Sequence, residues 1–462
     1  MNIKKNDVIE VSVDTLSYGG RGIGRYNGIV VFIPHSVPGD VVKAIVRKKK
    51  SKYLEATIEE LITPSPVRQK PECRLYGDCG GCSWQNIPYE KQLEYKQEIA
   101  KSMIEHIGGQ FNFTVHPILR SPRIWRYRNK VDYTFGRDDN GETVLGFHRK
   151  GSYFEILDVE NCLIQPKIFD ELIDVMRSFA REKGIPPYDP KTHEGRLRHF
   201  MLRCASNYYG PNETPPVLAI LTTAEKDLPD VKELIDRMKE RCPTLCGFIH
   251  GLNSGKGDVF NVEERLFEWG EDFLIEKLED LELRISGLSF FQTNTQAAEK
   301  LYTRTLDFLS LSGTENLLDA YCGAGSIGIF CAKKAREVYG IEILREAVWD
   351  ARINAARNGL DNCLFLCGDM KTTLPLLLER ARLGIQRIVV DPPRSGLDKK
   401  SLRRILGIKS SVIVYVSCNP TTMARDANTI CNAGYDITDI QPLDMFPQTF
   451  HIEMVARFEK RS

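Results

Sequence analysis

"ENLLDAYCGAGSIGIFCAKKA", residues 315–335, decides how the rest of the chain is read. "ENLLDAY" is an apolar run with strand character, and "GSIGIFCAKKA" has helix character. Between them Gly323, Gly325 and Gly328 stand in G-x-G-x-x-G spacing. Glycine lets the backbone come close to a ligand, and a helix N-terminus adds positive potential. The spacing alone is a weak signal, but its setting strengthens it. The next strand, "EVYGIEI" (337–343), puts Glu342 at its end, where a carboxylate accepts hydrogen bonds from a ribose diol. This combination points to an adenosine-containing cofactor, either NAD or S-adenosylmethionine. Asp319 precedes the glycines where a cationic methionine group would sit, and Asp369 in "CGDM" is placed to meet an adenine. Both favour S-adenosylmethionine.

Downstream the alternation is regular. "LREAVWDARINAARNG" (344–359) reads as a helix, and "CLFLCGD" (363–369), "RIVVDPP" (387–393) and "SVIVYVSC" (411–418) as strands with helices between them. Strands alternating with helices predict parallel βαβ units with right-handed crossovers, hence a Rossmann-like doubly wound α/β domain. "YDITDIQPLD" and "HIEMVARFEK" have no helix between them and should form an antiparallel hairpin at the sheet edge. In "VVDPPRSG" two prolines remove backbone donors, so the strand stops and Asp391 is left at its end. Cys418 ends the following strand. A cysteine there is commonly a small buried hydrophobe, but strand ends of open α/β sheets are also where ligands bind.

At 462 residues the chain is too long for one core, and roughly three domains of about 150 residues are expected. Hydrophobic content of 42% and charged content of 27% are those of a globular protein. "MNIKKNDVIEV" has no apolar signal region, and no apolar run approaches the ~18 residues of a membrane span. A cytoplasmic protein with no membrane partner is the expectation. Net charge is +1, so a polyanion would have to be bound by local patches. Thirteen cysteines in such a compartment read as reduced thiols, with tight clusters as metal or catalytic sites.

Residues 1–62 look all-β and fit a small OB-like barrel, whose stretch "KAIVRKKKSK" offers a basic face. A Pro-rich linker, "TPSPVRQKPEC", opens a region over 63–285 that reads as α+β. Within it the helical stretch "PYEKQLEYKQEIAKSMIEHIGG" leads to "RSPRIWRYRNKVDYTFGR", where basic residues alternate with Trp125, Tyr127 and Tyr133. That interleaving suits phosphate contacts and base stacking. Cys73, Cys79 and Cys82 are spaced C-x5-C-x2-C, with Cys162 downstream. From spacing alone this is a zinc or an iron–sulfur site, with zinc slightly ahead.

The pieces "FFQTN" (290–294), "LLDAYCGAGSIGI", "GIE", "VVDPPRSGL", "VYVSCNPTTMARD" and "FHIE" (450–453), in that order, resemble the S-adenosylmethionine-dependent RNA uracil-5-methyltransferases. The resemblance covers essentially the whole chain. It implies a TRAM domain for the barrel, and a catalytic domain over 286–462 against which segment 86–118 packs. "CRLYGDCGGC" followed by "ENCLI" is similar to the iron–sulfur site of the 23S ribosomal RNA members. This reverses the zinc preference and implies a 4Fe–4S cluster on Cys73, Cys79, Cys82 and Cys162. It further implies Cys418 as nucleophile and Glu453 as general base. Gln292, Tyr321, Gly323, Glu342, Asp369 and Asp391 fall on cofactor-contacting positions. So does Ser326, where related enzymes often carry Asn.

The chemistry accounts for these residue types. Carbon 5 of uracil is a poor nucleophile until a thiolate adds to carbon 6. A free thiol with a pKa of about 8.5 is mostly protonated at pH 7. The helix starting near Pro420 is expected to favour the Cys418 thiolate through its N-terminal dipole. Asp391 is placed to accept from the ring N–H. Phe290 and Phe291 read as core residues, unless one stacks on an extruded base. His451 lies where it can tune Glu453. "DPPRSG" has neither the cysteine of RNA cytosine-5 enzymes nor the aromatic of amino-methyltransferases; Arg394 stands there instead. The expectation is a monomeric enzyme acting on RNA, with 23S ribosomal RNA ahead of transfer RNA. The rival from another class is a non-catalytic RNA-binding or assembly factor, disfavoured because Cys418 and Glu453 are both present.

Overall fold

The structure is a computed structural model that describes residues 3–105, 113–206, 214–380 and 384–461. The chain starts as a closed five-stranded barrel of β1 (Val8–Leu16), β2 (Arg21–Tyr26), β3 (Ile29–Pro34), β4 (Val41–Lys49) and β5 (Tyr53–Thr63). Period-2 patterning drives it. Ile9, Val11 and Val13 of β1 face a core shared with Val31, Ile33 and Val42, while Glu10 and Ser12 alternate outward. Pairing of β1 with β4 closes the ring and removes free edges.

Two elements then join the sheet formed by the C-terminal part of the chain. Helix α1 (Tyr89–Glu105) packs on the helix Pro420–Asn432, and β6 (Thr114–Val115) adds to the C-terminal sheet, expected to be the catalytic one. Residues 106–112, which fall within segment 86–118, lie outside the described residues.

The middle of the chain forms a seven-stranded sheet. Its strands are β7 (Lys130–Arg137), β8 (Thr143–His148), β9 (Ile156–Asp158), β10 (Leu197–Cys204), β11 (Val217–Thr223), β12 (Leu245–Leu252) and β13 (Glu264–Gly270). Helices α2 (Lys167–Glu182) and α3 (Val231–Arg241) cover one face. Phe169, Leu172, Ile173, Met176 and Phe179 make one apolar stripe on α2 and are fully buried. Tyr127 and Tyr133 are buried too, their hydroxyls bonded to Pro447 O at 3.0 Å and Gln165 Oε1 at 2.6 Å. Neither offers a ring for base stacking, contrary to the expectation from alternation alone. Tyr133 joins the core of the middle sheet, and Tyr127 is buried with its hydroxyl on the loop that carries Pro447.

A hairpin, β14 (Phe273–Leu278) and β15 (Leu281–Ser286), leads into the catalytic sheet. Buried Arg203 holds this entry, donating to Ser286 O and Ser289 O at 2.7 Å each. There follow α4 (Thr295–Leu309), β16 (Asn316–Ala320), α5 (Ser326–Ala332), β17 (Glu337–Glu342), α6 (Arg345–Arg357), β18 (Cys363–Cys367), α7 (Met370–Arg380), β19 (Arg387–Val390), α8 (Lys399–Gly407), β20 (Val412–Ser417), α9 (Pro420–Asn432), β21 (Tyr435–Leu443) and β22 (Glu453–Lys460). The strand order is β18-β17-β16-β19-β20-β22-β21-β6. The five strands from β18 to β20 are parallel, and the order reverses between β16 and β19. Helices α4–α6 bury one face of the sheet and α7–α9 with α1 the other. Burial on both faces explains why β20 reads as an unbroken apolar run. The terminal hairpin is antiparallel, but it is not the edge: β6 pairs with β21 through Asp439↔Thr114 and Ile440↔Val115. Two residues of Thr and Val gave no signal long enough to read as a strand. Among the described residues no helix is long and apolar enough to cross a membrane.

One buried ion pair ties α1 to the catalytic sheet. Lys96 Nζ lies 2.6 Å from Asp444 Oδ1, both side chains are fully buried, and Lys96 also donates to Phe446 O at 3.2 Å. Removing one partner strands the other charge in a dry interior. Lys96→Met should therefore cost about 3–5 kcal/mol, read as a lowered denaturation midpoint of the catalytic part, with Lys96→Met/Asp444→Leu recovering most of it. An unchanged midpoint in the single variant would contradict the pair's structural role.

Candidate active site

The site forms at the C-terminal ends of β16, β17, β19 and β20, around the point where strand order reverses, which is where open α/β sheets bind ligands. After β16 the chain turns sharply. Tyr321 (φ 66°), Gly323 (φ 54°) and Gly325 (φ 80°) are all left-handed, and Tyr321 N and Cys322 N donate back to Ile341 O. Gly325 is required on two counts, because a Cβ there would also press on Ala351, Ile329 and Phe365 at 3.0 Å. At Gly323, by contrast, the space is open on the Cβ side. Ser326 begins α5, with its hydroxyl 3.1 Å from the Tyr302 hydroxyl.

Glu342 accepts from Gly323 N at 3.2 Å, Ile343 N at 2.8 Å and Leu344 N at 2.9 Å. One carboxylate thus joins the glycine loop to the start of α6. Beside it Ile343 and Leu344 expose apolar surface, and Asp369 caps α7 by accepting from Lys371 N at 2.7 Å. Asp319 lies beneath the loop rather than in its mouth. Its Oδ2 accepts from Gly328 N at 2.8 Å, and burial raises its carboxyl to about 8. Its Oδ1 is buried with no hydrogen-bond partner. Gln292 is buried, and its carbonyl accepts from Asn129 Nδ2 at 3.0 Å, which ties this segment to the middle sheet. The open space at Gly323, the capped carboxylate and the exposed Ile343 fit an adenosine cofactor.

The second half of the site follows from strand register. Ser417 of β20 lies opposite Met454 of β22. The next step along each strand brings Cys418 level with Glu453. Asn419 caps α9 by accepting from Thr421 N, and its amide donates to Arg394 O at 3.1 Å, which pins the "DPPR" loop to the "SCNP" turn. Asp391 is raised to about 7 by burial. Glu453 is buried, and burial first, then Asp391, push its carboxyl well above the usual range against the opposing Arg394.

Cys418 departs from the expectation. Burial, then Glu453, push its thiol up to about 11, and only Arg394 and a backbone hydrogen bond pull it down. The N-terminus of α9 does not prevail, because desolvation and neighbouring carboxylates oppose the thiolate more strongly. His451 is held neutral, its pKa lowered to about 4 by burial and nearby cations, with the Phe450 ring tilted against it at 4.2 Å between centroids. The adjacent phenylalanines divide: Phe291 is 5% exposed and Phe290 is 67% exposed.

Sequence reading missed Tyr18. It lies in the β1–β2 turn of the barrel, and its hydroxyl donates to Cys418 O at 3.3 Å. Its ring meets Phe450 edge-on, 5.9 Å between centroids. The only signal was "LSYGGRG", which looks like any hairpin turn.

Cys73, Cys79, Cys82 and Cys162 line one cavity of about 320 Å³. Burial pushes Cys82 up to about 12 and Cys162 to about 11, with the other sulfurs adding to the rise. Among the described residues no three His, Cys, Asp or Glu are drawn together as a metal-ion site. The four sulfurs line one cavity without being drawn to a common point, and their donor type is that of a zinc or iron–sulfur centre.

The family model described as tRNA (Uracil-5-)-methyltransferase matches residues 267–461, and that of the TRAM domain matches residues 4–58. An uncharacterized RNA methyltransferase of Halalkalibacterium halodurans is 38% identical over 460 residues, covering 100% of this chain and 98% of that protein. One from Caldanaerobacter subterraneus is 37% identical, covering 99% of each chain. The crystal structure of Pyrococcus abyssi tRNA (uracil-54, C5)-methyltransferase, in complex with S-adenosyl-L-homocysteine, superposes with a TM-score of 0.76 at 29% identity. It covers 97% of this chain and 100% of that one.

A thiol at about 11 is a measurable claim. Iodoacetamide labelling of Cys418 in the free protein, followed by peptide mass spectrometry, should rise about tenfold per pH unit from pH 8 to 10. Arg394→Ala should slow it further at each pH. A plateau below pH 9 would contradict the raised thiol.

Proposed function

This chain belongs to the S-adenosylmethionine-dependent RNA uracil-5-methyltransferase family, and from that premise we propose the mechanism and substrate of its reaction. The observation that carries the proposal is the register that sets Cys418 level with Glu453, beside Asp391 and Arg394. Bound S-adenosylmethionine supplies an electrophilic methyl on a sulfonium. Gln292, Tyr321, Gly323, Ser326, Glu342, Asp369 and Asp391 surround it in this assignment. Glu342 holds the ribose diol, and Asp391 lies between the cofactor and the base.

Cys418 Sγ adds to carbon 6 of the uracil, and the electrons of the ring double bond move onto the carbonyl oxygen at carbon 4. Carbon 5 then takes the methyl as the sulfonium–carbon bond breaks. Glu453 removes the proton left on carbon 5, the double bond re-forms, and Cys418 leaves as thiolate. A dry, high-affinity carboxylate suits that last proton. Forming the thiolate from a thiol at about 11 costs roughly 5 kcal/mol at pH 7. Arg394 already contributes to that value, and the arriving sulfonium lowers the cost further, so addition is tied to the fully loaded site. Exposed Phe290 is the ring available to stack where a base has been extruded.

The domain assignment is 1–62 for the RNA-binding barrel, 63–285 for the cysteine-bearing domain and 286–462 for catalysis, with α1 and β6 packed on the last. Cys73, Cys79, Cys82 and Cys162 would hold a 4Fe–4S cluster whose part is to tie the loop over 73–82 to the middle sheet. The substrate favoured is 23S ribosomal RNA, on the combination of barrel and four-cysteine cavity. Transfer RNA is the second reading, favoured by the overall superposition on a transfer-RNA enzyme.

Two variants test the chemistry. Cys418→Ala should abolish methyl transfer, by at least about 10³-fold, while RNA affinity stays within about twofold. Glu453→Gln should accumulate a covalent protein–RNA adduct, seen as a shifted band that survives denaturant. Turnover in the first variant, or no adduct in the second, would contradict the assigned roles.

A further inference from the structure

A second cavity, of about 190 Å³, opens where barrel, cysteine loop and catalytic loop meet. Its walls are Gly19–Arg21 of the barrel, Gly80–Ser83 of the cysteine loop and Thr449–His451, which lead into Glu453; His35 and Lys150 complete the lining. The walls are locked together. A Cβ on Gly20 would come within 2.9 Å of the Phe450 ring, Trp84 Nε1 donates to Gly20 O at 3.4 Å, and Phe450 N donates to Ser83 Oγ at 3.1 Å. The cleft therefore exists before anything binds.

Its cations differ in how they are paired. Nearby cations have their own carboxylates: Arg21 faces Glu55 at 3.8 Å, Arg149 pairs with Asp78 at 3.0 Å and Glu155 at 2.8 Å, and Arg68 pairs with Asp40. Lys150 has none within ion-pair reach among the described residues. Its Nζ instead stands 3.0 Å from His35 Nε2. That contact needs a neutral ring with a lone pair on Nε2, so it places the proton on Nδ1, which is buried and unpartnered. His35 is itself held in a left-handed conformation, φ 62°, an arrangement that concentrates at functional sites. A rigid cleft thus presents one ammonium group, uncompensated, at its mouth.

We propose that this cleft seats a backbone phosphate of the substrate RNA, at a nucleotide adjacent to the extruded uridine, with Lys150 as its cationic contact. Adjacency follows from the shared walls. Gly19 is next to Tyr18, whose hydroxyl holds Cys418 O, and Phe450 and His451 lead straight to Glu453. A strand whose base lies between Cys418 and Glu453 has its neighbouring linkage within reach of this cleft. Phosphate contacts of this kind fix register without reading sequence. The inference rests on the uridine reading of the Cys418 pocket.

The test uses a synthetic RNA containing the uridine that the wild-type protein methylates, with a single neutral methylphosphonate placed at each linkage around it. One linkage next to that uridine should weaken wild-type binding about tenfold, and Lys150→Met should weaken the unmodified RNA by about the same factor. In Lys150→Met that linkage should then have no further effect, and the slope of log affinity against log salt should fall by about 0.7. Lys150→Arg should restore both, and S-adenosylmethionine affinity should not change in either variant. Equal methylphosphonate penalties in wild-type and Lys150→Met proteins, or an unchanged salt slope, would overturn the phosphate site. Wild-type protein that methylates no RNA would instead overturn the uridine reading itself.

Discussion

The proposed reacting centre depends on one pairing, Ser417 against Met454, across the antiparallel contact of β20 and β22. It alone sets Cys418 and Glu453 side by side, from positions 35 residues apart in the chain. A slip of one residue would turn every side chain of β22 to the opposite face and remove Glu453 from the site. Much of the remaining structure serves to hold this register. The loop from Asp444 to Ile452, which delivers Glu453, is gripped by residues from far upstream. Ser83 N and Trp84 N donate to Gln448 O, Gln92 exchanges two hydrogen bonds with Gln448, and Lys96 pairs with Asp444. Sequence far from the catalytic sheet thus decides its geometry.

The same burial sets the electrostatics. Asp319, Asp391 and Glu453 all have carboxyls raised by desolvation, and Cys418 is raised with them. These three buried acids carry less negative charge at rest than their number implies, and Arg394 is the cation set against Cys418 and Glu453. Such a pocket is poised for a cationic partner, whose arrival draws charge onto the acids and the thiol together. Under the proposed mechanism, reactivity is then confined to the loaded state, which protects the thiol before RNA is in place.

The catalytic architecture was legible because its strands are buried on both faces and alternate with helices, so "NLLDA", "VVDPP" and "VIVYVS" stand out without knowledge of their neighbours. The glycine loop and Glu342 were legible for a related reason, since both lie within one local βαβ unit. What escaped depends on distant contacts. Tyr18 reaches the site only because the barrel docks there. β6 is two residues long and acquires strand character from β21 alone. Tyr127 and Tyr133 alternate with cations in sequence, yet the fold buries both, Tyr133 in the middle sheet's core and Tyr127 beside the loop at Pro447. The Cys418 thiol illustrates the limit best. Its helix dipole is a local feature and could be read from "SCNP", whereas Glu453, Asp391 and the surrounding burial that outweigh it are assembled only by the fold.

The most direct test of the whole account is methyl transfer from labelled S-adenosylmethionine to unmodified 23S ribosomal RNA and transfer RNA, with nucleosides identified after digestion. The account predicts 5-methyluridine in the 23S RNA and none in the transfer RNA. Product confined to transfer RNA would keep the chemistry and contradict the substrate. Absence of 5-methyluridine from both would contradict the assignment of Cys418 and Glu453 to uridine methylation.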